Sequence, residues 1–263
     1  MPAWPSAFLP NRLVSPAVVR IIIGVQAALG LLLWWNSPFE VLPTPPEVLH
    51  ALRSLWLEQG LGAELIASFQ LNLVALLWST LLSLALSYLT VLGVMRPLVA
   101  ALSKGRFLSL TGLTFVFTLV VGGGRPLKVA LLVFGMSVFF VTSMAAEVAQ
   151  IPRERFDHAR TLRFSDWQVV WEVVVLGTAD RALEVLRQNA AIGWMMLTMV
   201  EGISRSEGGV GAMLLNQNKH FHLAEVFAIQ LVILGLGILQ DYGLGVLRRT
   251  VLPYTELDRE RVG

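Results

Sequence analysis

Long apolar blocks alternate with short polar intervals along this chain, and most of the blocks have the length of a membrane-crossing helix. Pro16–Trp35 is interrupted by a single charge, Arg20, and ends on a pair of tryptophans. About twenty apolar residues cross the hydrocarbon core of a bilayer, so this block predicts a first span. Arg20 would reach back to one surface, and Trp34 and Trp35 would lie at the other. Asn36–Gly62 opens with turn residues and predicts a short amphipathic helix after Pro46. Leu65–Met95 is longer than a bilayer requires and predicts a tilted or protruding second span. Phe107–Val121 predicts a weaker third span, closed by the turn Gly122-Gly123-Gly124, and Pro126–Ala146 a fourth. Gln188–Val200 continues an Arg181–Arg187 helix into a fifth span, and Leu223–Leu247 is the sixth. The three glycines follow no strand and precede no GK[ST], so they read as a turn and not as a phosphate cradle.

Composition supports the membrane reading independently. Hydrophobic residues make up 55% of the chain and charged residues only 14%, against about 25% charged in an ordinary soluble domain. The formal net charge of +2 gives no basis for nucleic-acid binding. The absence of cysteine excludes disulfides, Cys-ligated zinc and thiol catalysis. The opening MPAWPSAFLPNR shows no small-residue cleavage pattern, so no cleaved signal peptide is expected. With six spans, fifteen of the twenty Lys and Arg residues fall on one side and five on the other. The positive-inside rule then places both termini and the stretch 147–187 in the cytoplasm. The expected organisation is a cytoplasmic tail at 1–15, one membrane domain at 16–254 and a second cytoplasmic tail at 255–263.

The stretch from Glu147 to Arg187 is the longest polar interval and holds six arginines. Pro152 can open a helix there, and Phe156, Ala159 and Leu162 then form a short apolar stripe flanked by charge. Such a helix either docks a soluble partner or packs on its own bundle. Inside the spans, Gln70, Asn72, Gln188, Asn189 and Gln230 are candidates for a translocation path or for interhelical hydrogen bonds, with Gln240 open to the same two readings. Glu201 and Asp241 sit at span ends, where exposure of charge costs little. His220 and His222 do not share a helix face and lack a carboxylate partner, so no metal or other cofactor is expected. No span carries a Ser–His or paired-Asp arrangement, and no GxxxxGK[ST] occurs, so the chain is not expected to be an enzyme.

The run Ile151–Trp167, IPRERFDHARTLRFSDW, resembles the cytoplasmic loop of bacterial ABC-importer permeases. Asp157 stands at the Glu of that family's Glu-Ala-Ala motif, His158 at the first Ala and Ala159 at the second. Arg163 takes the position of the usual Gly, and Leu176 and Asp180 stand roughly where prolines are expected. Met199-Val200-Glu201 with Ser206-Glu207-Gly208-Gly209-Val210-Gly211 is similar to the Ala-Glu … Gly-Gly-Leu-Gly element before the last span. Leu42-Pro43-Thr44-Pro45 and Arg248–Tyr254 resemble elements of the nitrate, sulfonate, taurine and bicarbonate branch. The resemblance covers roughly residues 16–254. It implies an all-α membrane protein with the six-helix, methionine-permease-like fold of type I ABC importers, in the bacterial inner membrane. It also implies two ATP-binding cassette subunits, a second permease subunit forming a homodimer, and a periplasmic or lipid-anchored solute-binding protein. Arg155, Phe156, Asp157, His158, Ala159, Arg160, Leu162 and Arg163 would couple to the ATPase. Glu201, Gly208, Gly209 and Gly211 would form a re-entrant turn. The implied cargo is a small organic or inorganic anion such as sulfonate, nitrate or taurine, and the rival reading is a non-transporting or regulatory membrane scaffold.

Overall fold

The computed structural model describes residues 15–39, 41–204 and 207–252. The tail expected before Pro16, the tail from Pro253 onward, and Arg205 and Ser206 lie outside the described residues. Every regular element among the described residues is helical. Helix α1, Pro16–Trp35, starts behind Ser15, whose hydroxyl accepts the Val18 N–H, and has Pro16 at its first position. Its apolar side chains point outward all round, with only Val18 buried, as expected of a helix bathed in lipid. Helix α2, Pro45–Leu57, begins two residues ahead of the amphipathic helix predicted after Pro46 and opens with a Thr44–Glu47 capping box. Its Val48, Ala51 and Leu55 are buried.

Helix α3, Leu61–Tyr88, is the long second block, followed by a short 3₁₀ turn at Leu89–Val91. The expected third span is more broken than its hydropathy implies. Helix α4, Met95–Ser103, and a 3₁₀ turn at Lys104–Phe107 meet helix α5, Leu110–Val121, at a bend of 117°. Helix α5 has 12 residues, a length of about 18 Å, against roughly 30 Å of hydrocarbon. Helix α6, Arg125–Ala149, follows the glycine turn. Helix α7, Arg153–Thr161, and helix α8, Asp166–Val169, lead through a π-helical stretch, Val170–Leu176, into helix α9, Ala179–Ile203. Helix α10, Val210–Lys219, and helix α11, Leu223–Val251, complete the described chain. Helices α1, α3 (with its 3₁₀ turn), α6 and α11 are long and apolar enough to cross a membrane, and the bent α4–α5 pair would make a fifth crossing. Helix α9 has 25 residues, but its first turns carry Asp180, Arg181, Glu184 and Arg187, which lower its hydropathy.

Contacts between helix ends sort the bundle into two ends. At one, the starts of α3 and α6 meet the end of α9 and the start of α10, through Glu64, Lys128, Glu201 and Gly208. At the other, Arg181 of α9 pairs with Glu147 of α6 at 3.9 Å, and Arg248 of α11 binds Asp180 and Glu184 of α9. The most extensive helix pairing is α3 with α6. Ser68, Asn72, Ala75, Ser79, Ser83 and Ser87 recur along one buried face of α3. Small residues let two backbones approach where lipid supplies no hydrophobic drive between helices. The hydroxyls of Ser79 and Ser83 donate to the Leu76 and Ser137 carbonyls.

Helix α9 joins this pair at Gly193. A Cβ there would lie 2.8 Å from Asn72 Oδ1 and 2.9 Å from Met136 Cε, whereas Gly30 on α1 has nothing within 4 Å. Gly193→Leu is therefore expected to destabilise the bundle by about 2–3 kcal/mol through overpacking, and Gly30→Leu to be near neutral. Thermal unfolding of the two variants in detergent measures the difference. Equal midpoints would mean that α9 does not depend on close approach at this crossing.

Candidate functional site

The first polar site closes the turn between α9 and α10. Helix α10 begins behind Gly209, which has no side chain to cap it, so the amide donors around its first turn need partners from elsewhere. Two other helices supply them. The Gly209 N–H donates to Glu64, the Val210 N–H to Ser68 Oγ at 2.9 Å, and the Gly211 N–H to Glu201 Oε2 at 2.8 Å. Ser68 in turn donates to Glu201 Oε1 at 2.7 Å. Lys128 Nζ reaches the Gly208 carbonyl at 2.8 Å, so a buried ammonium stands beside the two carboxylates. Negative groups at a helix N-terminus also meet its dipole favourably.

Sequence reasoning grouped Glu201, Gly208, Gly209 and Gly211, and the structure brings them together. It corrects the place of Glu201: the residue is 1% exposed and enclosed, where a span-end position suggested an interfacial group. Glu64, Ser68 and Lys128 escaped that reasoning. Their only signal was the i, i+4 spacing of Glu64 and Ser68 at the start of a span. Gly209 adopts φ +106°, and a Cβ on it would overlap the Glu201 carboxylate, while a Cβ on Gly211 would overlap the Thr198 carbonyl.

The second site runs along α9 and α11. A groove of about 420 Å³ is lined by Arg187, Trp194, Gln230, Gln240 and Asp241 among others. Another of about 450 Å³, lined by Thr198, Gly202, Gly211, Asn218 and Gln230, continues it towards the glycine turn. Gln230 borders both, so the two grooves lie end to end along α9 and α11 and are together called the trough. From Arg187 to Ile203 on α9 it extends about 24 Å at helical rise. Behind its wall, Gln240 Oε1 accepts hydrogen bonds from Trp194 Nε1 at 2.7 Å and Asn72 Nδ2 at 3.1 Å. Of the five path candidates, Gln230 lines the trough. Asn72 is buried in that hydrogen-bonded group, and Asn189 is buried with neither amide atom partnered. Gln70 and Gln188 are exposed and do not line the trough.

The third site is the α7–α8 element. Phe156 and Ala159 pack inward on Val169 and Val173, so the apolar stripe covers its own chain, and Ala159 is small because the π-helical stretch lies against it. Leu162 stays 57% exposed, beside exposed Arg155, Asp157, His158 and Arg160. Arg163 does not lengthen the helix. It adopts φ +60°, its N–H donates to the Arg160 carbonyl at 2.9 Å, and the Phe164 N–H reaches the Ala159 carbonyl at 3.4 Å. This is a Schellman ending with Arg at the left-handed position that glycine ordinarily takes. At the end of the π-helical stretch the Gly177 N–H bonds back to the Glu172 carbonyl at 3.1 Å.

Helices throughout the described residues, several of them apolar and of bilayer length, define a multi-pass membrane protein. No protein-family profile matches the chain. The taurine transport system permease protein TauC of Escherichia coli (strain K12) is 27% identical over 253 residues, covering 90% of each chain. The putative aliphatic sulfonates transport permease protein SsuC of Bacillus subtilis (strain 168) is 24% identical over 254 residues, covering 92% of this chain and 86% of its own. Among solved structures, a chain of the MetNI methionine ABC transporter in inward-facing conformations matches with a TM-score of 0.52 at 16% identity. The match covers 80% of this chain and 99% of that one. The fold is that of a type I ABC-importer permease, and both sequence relatives are transport permeases, components of transporters and not enzymes.

Two substitutions test the local geometry. Gly209→Ala adds backbone strain of about 1–3 kcal/mol at a positive φ to a clash with Glu201, so it should strongly lower thermal stability in detergent, whereas Lys219→Ala at the exposed end of α10 should not. Equal stability of the two would mean that the turn tolerates a side chain. Arg163→Gly should raise stability by about 1 kcal/mol, because the left-handed position then carries no Cβ. A loss of stability instead would show that the Arg163 side chain holds the element together.

Proposed function

We propose that this chain is the permease subunit of an ABC importer for a small sulfonate-type solute, and that the trough along α9 and α11 is its share of the translocation path. The trough is the observation that carries this reading. It joins the two polar ends of the bundle, and it is open along one side, so it needs a second wall. A second copy of the chain would supply that wall and give the homodimer expected from the sequence. The similarity to a taurine and an aliphatic-sulfonate permease over about nine-tenths of the chain supports the solute class.

The end of the bundle holding Arg181, Arg248 and the α7–α8 element faces the cytoplasm in this reading, in the inner membrane, in keeping with the charge distribution. With α9 and the α4–α5 pair counted, the six crossings place both termini there. Two ATP-binding cassette subunits dock on the exposed face of α7, through Leu162 with Arg155, Asp157, His158, Arg160 and Arg163 around it. Phe156 and Ala159 support that face from beneath. A solute-binding protein delivers cargo at the Glu201 end, and rocking of the paired bundles gives alternating access.

Uptake of radiolabelled taurine and alkanesulfonates, in cells lacking their own sulfonate importers and expressing this chain with its neighbouring ATPase and binding-protein genes, tests the reading. ATP-dependent uptake is expected. Leu162→Glu should leave the chain in the membrane but release the ATPase and reduce uptake by at least about tenfold, since an unpaired charge in a buried contact is strongly unfavourable. No uptake of any sulfonate by the assembled complex would overturn the transport assignment. Retention of the ATPase by Leu162→Glu would move the docking face elsewhere.

A further inference from the structure

We propose that Arg187 and Asp241, at one end of the trough, form a recognition site for a compact zwitterion, the guanidinium taking its acid group and the carboxylate its ammonium. The proposal rests on the trough being the path. Arg187 and Arg248 both bridge α9 and α11 at this end, in different surroundings. Arg248 is 17% exposed and held on three hydrogen bonds by Asp180 and Glu184, which already ties the helices together. Arg187 and Asp241 face each other across two hydrogen bonds but remain 39% and 48% exposed, and both line the groove. The more accessible pair is therefore the one presented to a solute.

The ion pairing selects the ligand. Arg187 lies between Asp241 and Glu184, and Arg248 binds Asp180 and Glu184, so Glu184 is shared by both guanidinium groups. A simple anion that captured Arg187 would leave Asp241 unpaired. A simple cation would leave Arg187 unpaired. A zwitterion exchanges one ion pair for two and leaves neither charge alone, which discriminates against both single-charge competitors. Gln240 and Trp194 border the same groove, and the Gln240 Oε1 behind its wall accepts from Trp194 and Asn72. The groove of about 420 Å³ falls in the range of small-molecule sites.

Because the chain has no cysteine, the site can be read directly and without the selectivity of a binding protein. Ala191 is exposed in the groove, and Ala191→Cys in the assembled, detergent-solubilised transporter supplies a thiol whose labelling rate reports occupancy. The probes are taurine and isethionate, equal in skeleton and differing in ammonium against hydroxyl. Taurine is expected to slow labelling by about tenfold where isethionate at the same concentration slows it by less than about twofold. Adding Asp241→Asn should abolish that difference, and adding Asp241→Glu should keep it, a contrast that a purely structural ion pair would not produce. If Asp241→Asn does not assemble, the two-probe comparison in the Ala191→Cys background decides. Equal protection by both probes, or none by either, in an assembly that still takes up taurine overturns the zwitterion site and leaves the permease reading standing. Absence of any sulfonate uptake overturns the permease reading itself.

Discussion

The Glu201 carboxylate is the group on which the arrangement of this bundle most depends. It is enclosed where α3, α9 and α10 meet, and it accepts from Ser68 and from the Gly211 amide. A carboxylate removed from water is unfavourable unless its lone pairs are met, and a helix start in an apolar medium is unfavourable unless its amides are met. Each requirement satisfies the other here. Glycine at 209 is part of the same solution, because any side chain would occupy the space of the carboxylate. Ser68 completes the exchange by donating to Glu201 while accepting from Val210.

The opposite end is held by different chemistry. There the helices are tied by arginine–carboxylate pairs, partly exposed at Arg187 and Asp241 and more enclosed at Arg248. A closed cap at one end and a shared ion-pair lattice at the other give the trough between them unequal mouths. The wall itself is fixed by packing: Trp194 stacks near Phe69 with ring centroids 6.2 Å apart and donates to Gln240, which also accepts from Asn72.

The α7–α8 element turns on an arginine. The backbone passes through the left-handed region at Arg163, because the Schellman hydrogen bonds and the packing of Ala159 on Val169 and Val173 outweigh a strain of about 1–2 kcal/mol.

The sequence by itself determined the helical membrane class, most helix positions, the amphipathic α2 and the grouping of Glu201 with Gly208, Gly209 and Gly211. These follow from the length of apolar runs, from hydrophobic periodicity, from glycine and proline punctuation and from an ordered resemblance, all of them local along the chain. The tertiary structure decided which polar residues meet. Asn72 and Gln240 lie 168 residues apart and Ser68 and Glu201 lie 133 apart, and no local pattern encodes such pairs. It also decided that α5 is too short to cross alone, that Ala159 faces its own chain, and that Gln230 lines the trough while Gln70 and Gln188 do not. Periodicity states that a helix has two faces; which neighbour covers each face depends on helices that the local sequence does not contain.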